Sequence, residues 1–180
     1  NPKKDGSTYD IYRDGLRIYT TIDSRMQEYA EEAVEMHLAN LQKEFFKQQK
    51  GNKNAPFIQI NQDETNKIIN RAMRNSERWR QMSAQGKEEE DIIKSFDVKT
   101  KMAIFTWKGE KDTLMTPRDS IVYYKHFLQS GMMSMEPVTG NVKAWVGGID
   151  YKHFQYDHVG QGARQVGSTF KPFVYATAID

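Results

Sequence analysis

The chain has 180 residues, 38% of them hydrophobic and 28% charged, with a mean hydropathy of −0.79, enough to bury one core or two small ones. Its net charge of +2, from 26 basic and 24 acidic residues, is far from the strong basic patch of a nucleic-acid binder, so no nucleic-acid partner is expected. The absence of cysteine excludes a disulfide framework and a thiolate metal site, and no apolar run approaches the ~18–20 residues that span a bilayer.

In chain order, residues 1–15 are polar and turn-rich, and Leu16–Thr21 alternates enough to suit a short strand. Asp23 or Ser24 can cap the helix that follows, with Gln27 at capping-box distance from Ser24. Met26, Tyr29, Ala30, Ala33, Val34, His37, Leu38, Leu41 and Phe45 then hold helical spacing, which predicts one buried face. Lys47–Asn54 is a polar break. A second helix is predicted over 63–82, with Ile68, Ile69, Ala72, Met73 and Trp79 as its apolar face, ended by Gly86. A short acidic helix over 88–96 follows, then a strand over 101–107, a turn over 108–112 and a return strand over 113–115. Thr116 as cap and Pro117 at the first helical position start a helix expected to reach Ser130 and stop at Gly131. Residues 132–136 and 141–146 flank Pro137-Val-Thr-Gly140 as a β-hairpin. A loop over 151–166 leads to a last helix beginning near Gly167. The fold class is therefore α+β.

Several features carry bland readings. Gly162–Gly167 has the frame of a phosphate loop but is followed by Ser168 instead of lysine, so nucleotide binding is set aside. His37 and His126 fall in helices, and His153 and His158 read as loop surface rather than a metal pair. Arg71, Arg74 and Arg78 read as one solvated helical face, with a glycan strand or an acidic partner as the alternative. Trp79, Trp107 and Trp145 read as core anchors. No metal and no cofactor is expected.

The informative stretch is Gly167-Ser-Thr-Phe-Lys-Pro172. Ser168 and Lys171 stand three apart at a helix start, on one face, with a rise of ~4.5 Å between them. A serine hydroxyl is a poor nucleophile until a neighbour takes its proton. A lysine can do so if burial and nearby positive charge lower its pKa. The helix amino terminus favours a developing oxyanion, for which the Ser168 backbone N–H is a donor. Phe170 and Phe173 can anchor the helix in a core. By itself S-x-x-K also fits a capping serine followed by a surface lysine, and what sharpens it is context.

Val138-Thr-Gly-Asn-Val-Lys-Ala-Trp-Val-Gly-Gly148 followed by Arg164-Gln-Val-Gly-Ser-Thr-Phe-Lys-Pro-Phe173 closely resembles the opening of the transpeptidase domain in class A, bifunctional penicillin-binding proteins. Tyr19–Val34 resembles the linker helix before that domain, whereas residues 46–115 match only loosely, as an insertion or linker module. The resemblance implies three parts: a linker strand and helix over 1–45, an insertion or linker module over 46–130, and the start of a transpeptidase domain over 131–180. It implies a peptidoglycan D,D-transpeptidase in which Ser168 is acylated by a D-Ala-D-Ala stem peptide, Lys171 is the base and β-lactams trap the serine. It also implies peptidoglycan stem peptides, glycan strands, β-lactams and cell-wall machinery proteins as partners, and an extracytoplasmic, periplasmic location anchored through an upstream membrane segment. The family's later motifs, S-x-N and K-[ST]-G, do not occur in this sequence. With its start lacking methionine and its end nine residues after Lys171, the chain is expected to be an inactive piece of a longer protein that also has an upstream glycosyltransferase domain. Other readings are a non-catalytic pedestal or interaction module, and a penicillin-recognising sensor or hydrolase sharing S-x-x-K.

Overall fold

The computed structural model describes residues 3–179. Six α-helices and four strands follow one another as α1 (Ser24–Gln49), α2 (Gln62–Arg74), α3 (Glu77–Ala84), α4 (Glu89–Ser95), β1 (Thr100–Ile104), β2 (Lys111–Met115), α5 (Pro117–Lys125), β3 (Met132–Met135), β4 (Val142–Val146) and α6 (Lys171–Ile179). The strands form two separate antiparallel hairpins, β1–β2 and β3–β4. The α+β class expected from the sequence is what the chain adopts.

Asp23 caps α1 by accepting the Arg25 and Met26 N–H groups. Gln27 does not close a capping box. Its amide turns to β4, accepting the Trp145 N–H at 2.7 Å and donating to the Trp145 carbonyl at 3.0 Å. The buried stripe of α1 is Ala30, Val34, Leu38 and Gln42, one residue per turn. It is narrower than predicted, because Met26, Tyr29 and Leu41 stay exposed, as do Ala33 and His37. Ala30, Val34 and Leu38 pack on Ala144 and Val146 of β4, with Trp107 and Ile149 at the edge. Burying side chains such as Val34 and Leu38 contributes ~1.5–3 kcal/mol each. Leu16–Thr21 is not the strand that its alternation predicts. Near β4 the segment bonds only through the Thr21 hydroxyl to the Val142 carbonyl, at 2.6 Å, and the Asp23 N–H to the Lys143 carbonyl, at 2.9 Å, too little for a ladder.

The single helix predicted over 63–82 is two. Ser76 breaks it: its hydroxyl donates to the Met73 carbonyl at 2.6 Å and accepts the Trp79 N–H at 3.2 Å, closing α2 and opening α3. Arg71, Arg74 and Arg78 therefore do not share one helical face. Arg74 pairs with Glu89 and lies 4.9 Å from the Trp79 ring centroid. Gly86, at φ +71°, ends α3 as predicted: its N–H bonds the Ser83 carbonyl and the Lys87 N–H bonds the Met82 carbonyl. Ile69, Met73, Ile92 and Phe96 form a second core, flanked by Phe57, Trp79, Met82, Ile121 and Val122.

Thr116 caps α5 through the Asp119 N–H, with Pro117 at its start, as predicted. The helix stops at Lys125 instead of Ser130. The buried Gln42 amide takes the backbone that follows, donating to the His126 carbonyl at 2.9 Å and accepting the Leu128 N–H at 2.8 Å. That bend drops Phe127 into an aromatic cluster with Phe105, Tyr123, Tyr124 and Phe154. His153 belongs to this cluster, 5.7 Å from Phe105 and stacked 6.1 Å from Tyr124. Its side chain is only 12% exposed, and His158 is also partly buried, so neither is the surface residue predicted. Trp79 and Trp107 pack as anchors, but Trp145 is exposed.

Candidate active site

The segment bearing Ser168 and Lys171 starts at Gly167, whose φ of +50° lies in the left-handed region open to glycine. Gly167–Phe170 is a turn of 3₁₀-helix, and Lys171 opens α6. The Lys171 N–H donates to the Ser168 carbonyl, closing the turn. In 3₁₀ geometry side chains at i and i+3 eclipse, with a rise of ~6 Å over three residues. Ser168 and Lys171 are thus in line, but further apart along the axis than the α-helical spacing predicts. Pro172 is the second residue of α6, where a missing N–H costs little. The side-chain hydrogen bonds here run from the Thr169 hydroxyl to the Val166 carbonyl and from the Thr177 hydroxyl to the Phe173 carbonyl. Ser168 and Lys171 take no part in them.

Every residue from 163 to 179 is exposed. Phe170 and Phe173 pack on each other at 5.5 Å but are 52% and 65% exposed. The expected anchoring of this helix in a core does not occur among the described residues.

The loop leading to the serine is held at several points. The Asp157 carboxylate accepts the Val159 and Gly160 N–H groups at 2.9 and 3.1 Å and the Trp145 indole N–H at 3.1 Å. The Gly160 N–H, foremost, holds this carboxyl below the usual carboxylate range. The His158 N–H bonds the Gly147 carbonyl at 2.7 Å. A Cβ at Gly147 or Gly160 would come 2.8 Å from Asp157, and one at Gly162 2.6 Å from the His158 carbonyl, so these glycines permit close approach.

Between α1 and this loop lies a cleft of about 520 Å³ whose walls include Glu31, Glu35, Trp145, Phe154, Tyr156 and Asp157; neither Ser168 nor Lys171 lines it. Among the described residues no three His, Asp or Glu side chains are grouped to hold a metal ion. No helix among them is long and apolar enough to cross a membrane.

Residues 52–128 match the family model of the penicillin-binding protein middle domain. The chain is also 39% identical over 72 residues to penicillin-binding protein 1A of Neisseria flavescens, covering 40% of this chain and 8% of that protein. It is 40% identical over 52 residues to penicillin-binding protein 1A of Pseudomonas aeruginosa, covering 29% and 6%. With the protein of that name from Neisseria gonorrhoeae it is 43% identical over 58 residues, covering 32% and 7%. The chain thus spans less than a tenth of these relatives. No solved structure matches it. The resemblance to class A penicillin-binding proteins is borne out, and the family match lies in the middle of the chain, where the motifs carry the resemblance least. Sequence reading missed the roles of Gln27, Gln42 and His153 in joining α1, the 52–128 segment and the second hairpin with its following loop.

Proposed function

We propose that the protein carrying this chain is a peptidoglycan D,D-transpeptidase inhibited by β-lactams, with Ser168 as nucleophile and Lys171 as base. The observation that carries this reading is the 3₁₀ turn that aligns Ser168 with Lys171 at the start of an exposed helix, in a chain whose residues 52–128 match the penicillin-binding protein middle domain. In this reading the Ser168 hydroxyl attacks the carbonyl of the penultimate D-Ala of a stem peptide, and its proton passes to the Lys171 amine. The peptide bond breaks, D-Ala leaves with that proton, and an ester on Ser168 remains. The amine of a second stem peptide attacks this ester, loses a proton to the restored base and frees Ser168. The Ser168 N–H is one oxyanion donor. The second donor and the S-x-N serine come from elsewhere in the protein. Stem peptides and glycan strands are the substrates, on the extracytoplasmic face of the membrane.

Fluorescent penicillin labelling of the full-length protein tests this. Ser168→Ala abolishes labelling, and Lys171→Arg, which keeps charge but cannot easily release a proton, slows it ~100-fold or more, within the range of a lost general base. Labelling of Ser168→Ala at the parental level defeats the assignment.

A second reading is a pedestal. It is favoured by the packing of α1 on β4 and by the aromatic cluster that ties α5 to the loop after β4. The two readings are compatible, with the pedestal holding the hairpin that precedes the nucleophile.

A further inference from the structure

Glu110 lies in the turn between β1 and β2, inside the middle domain. Its Oε1 is 2.9 Å from the His153 Nε2 and 2.8 Å from the Lys152 Nζ. Both partners belong to the loop after β4. Lys152 is 70% exposed, so its pair with Glu110 is worth little to stability. His153 differs. Its ring lies among Phe105 and Tyr124, with Nδ1 3.2 Å from the Tyr124 hydroxyl. Tyr124 accepts the Phe105 N–H, which leaves its own O–H to donate to Nδ1 and places the ring proton on Nε2, toward Glu110. Nε2 is buried and has no well-aligned hydrogen bond, so the nearby carboxylate is its polar neighbour. The charged and titratable groups around the ring are Glu110, Tyr124 and Lys152, with Tyr123 beside Tyr124 and Asp150 accepting the His153 backbone N–H. Lys152, and after it His153, hold the Glu110 carboxyl below its usual range, so it is ionised at neutral pH.

We infer that Glu110 is a positioning residue for acylation of Ser168, clamping the loop that leads to the nucleophile onto the middle domain through His153. The inference rests on the transpeptidase reading above. The partners of Glu110 are Lys152 and His153, not Ser168. It acts at the head of a loop anchored again from Asp157 to Gln161, after which residues 163–179 are all exposed. Removing the Glu110 carboxylate takes away the charged neighbour that faces the His153 Nε2 and Lys152, and the head of the loop is free to shift. Small misplacements of a reacting group lower rate far more than they lower stability.

The test uses the full-length protein and measures penicillin acylation at saturating and limiting concentrations, alongside melting temperature. In Glu110→Ala the saturated acylation rate falls about tenfold, while the half-saturating penicillin concentration and the melting temperature stay near the parental values. In a His153→Phe background, which keeps a ring in the cluster, Glu110→Ala causes no further loss. An unchanged saturated rate in Glu110→Ala overturns the inference, and so does an equal loss in the His153→Phe background. If Glu110→Ala lowers the melting temperature markedly, Glu110→Gln, with the same volume and no charge, replaces it under the same criteria. Ser168→Ala is measured in parallel: if it is still labelled, the transpeptidase reading has failed, whereas normal dependence on Ser168 with no effect at Glu110 removes the positioning role alone.

Discussion

Gln42 is 1% exposed and joins α1 to the chain leaving α5 by two hydrogen bonds. Truncating it strands the His126 carbonyl and the Leu128 N–H away from water, and each such group costs ~1–3 kcal/mol. Gln42→Ala should therefore destabilise the fold by about 3 kcal/mol, read as a lowered midpoint in urea with the slope unchanged. A loss under ~0.5 kcal/mol, the level of an ordinary surface substitution, would mean that water or a local shift satisfies both groups. Nothing in the sequence marked this residue. Gln42 falls four after Leu38 on the buried stripe, but a glutamine between the apolar Leu41 and Phe45 reads as polar surface. His153 was hidden for a related reason: a histidine in a polar loop reads as surface until the aromatic residues of a distant helix are seen to enclose it.

At the scale of elements, local chemistry was the legible part. Thr116-Pro117 opens α5, Gly86 closes α3 and Gly140 turns the second hairpin at φ +73°, each because a few neighbouring residues decide the backbone. Failures came where partners far along the chain decide. The end of α5 is set by Gln42, some 84 residues away, and the break between α2 and α3 rests on one serine that is as compatible with a helix interior as with a cap. Carboxylates at element ends carry a testable consequence. Asp23 is held below its ordinary pKa chiefly by the Met26 N–H, Asp97 by Arg118 across α4 and α5, and Asp157 by the Gly160 N–H. Each binds its proton less tightly folded than unfolded. Its contribution is therefore full above the ordinary aspartate pKa of ~3.9 and is lost as pH falls through the lower folded value. The melting temperature should be level from neutral pH to about 5 and drop below about 4. Asp157→Asn, which keeps one acceptor oxygen, should lower the neutral plateau and flatten the acid slope. An acid slope identical to that of the parent would show that Asp157 contributes nothing through its charge.

At the scale of the molecule, packing divides the chain sharply. Two cores and the aromatic cluster take in α1, residues of the 52–128 segment and the β3–β4 hairpin, while the main packing partner of α6 is the turn before it. Yet α6 is Lys-Pro-Phe-Val-Tyr-Ala-Thr-Ala-Ile, apolar nearly all round, with Phe173, Val174, Tyr175 and Ile179 each more than half exposed. A helix apolar on every side is a helix made to be buried. The hexapeptide could be proposed from sequence alone because Ser168 and Lys171 stand three residues apart. Its surroundings could not, because no residue among 3–179 encloses it. Two results should follow for the 180-residue chain alone. It is not acylated, since a serine without its second oxyanion donor loses ~100–1,000-fold in rate and this sequence has no K-[ST]-G or S-x-N. Deleting residues 163–180 leaves the melting temperature within ~2 °C, the scale of a sub-kcal/mol change, and reduces binding of a hydrophobic dye. Intact-mass analysis after incubation with penicillin reads the first result, and calorimetry with dye titration reads the second. A stoichiometric adduct on Ser168 would show a site complete within these residues, and a large fall in melting temperature on deletion would show that α6 is packed in solution against the cores from which it stands apart here.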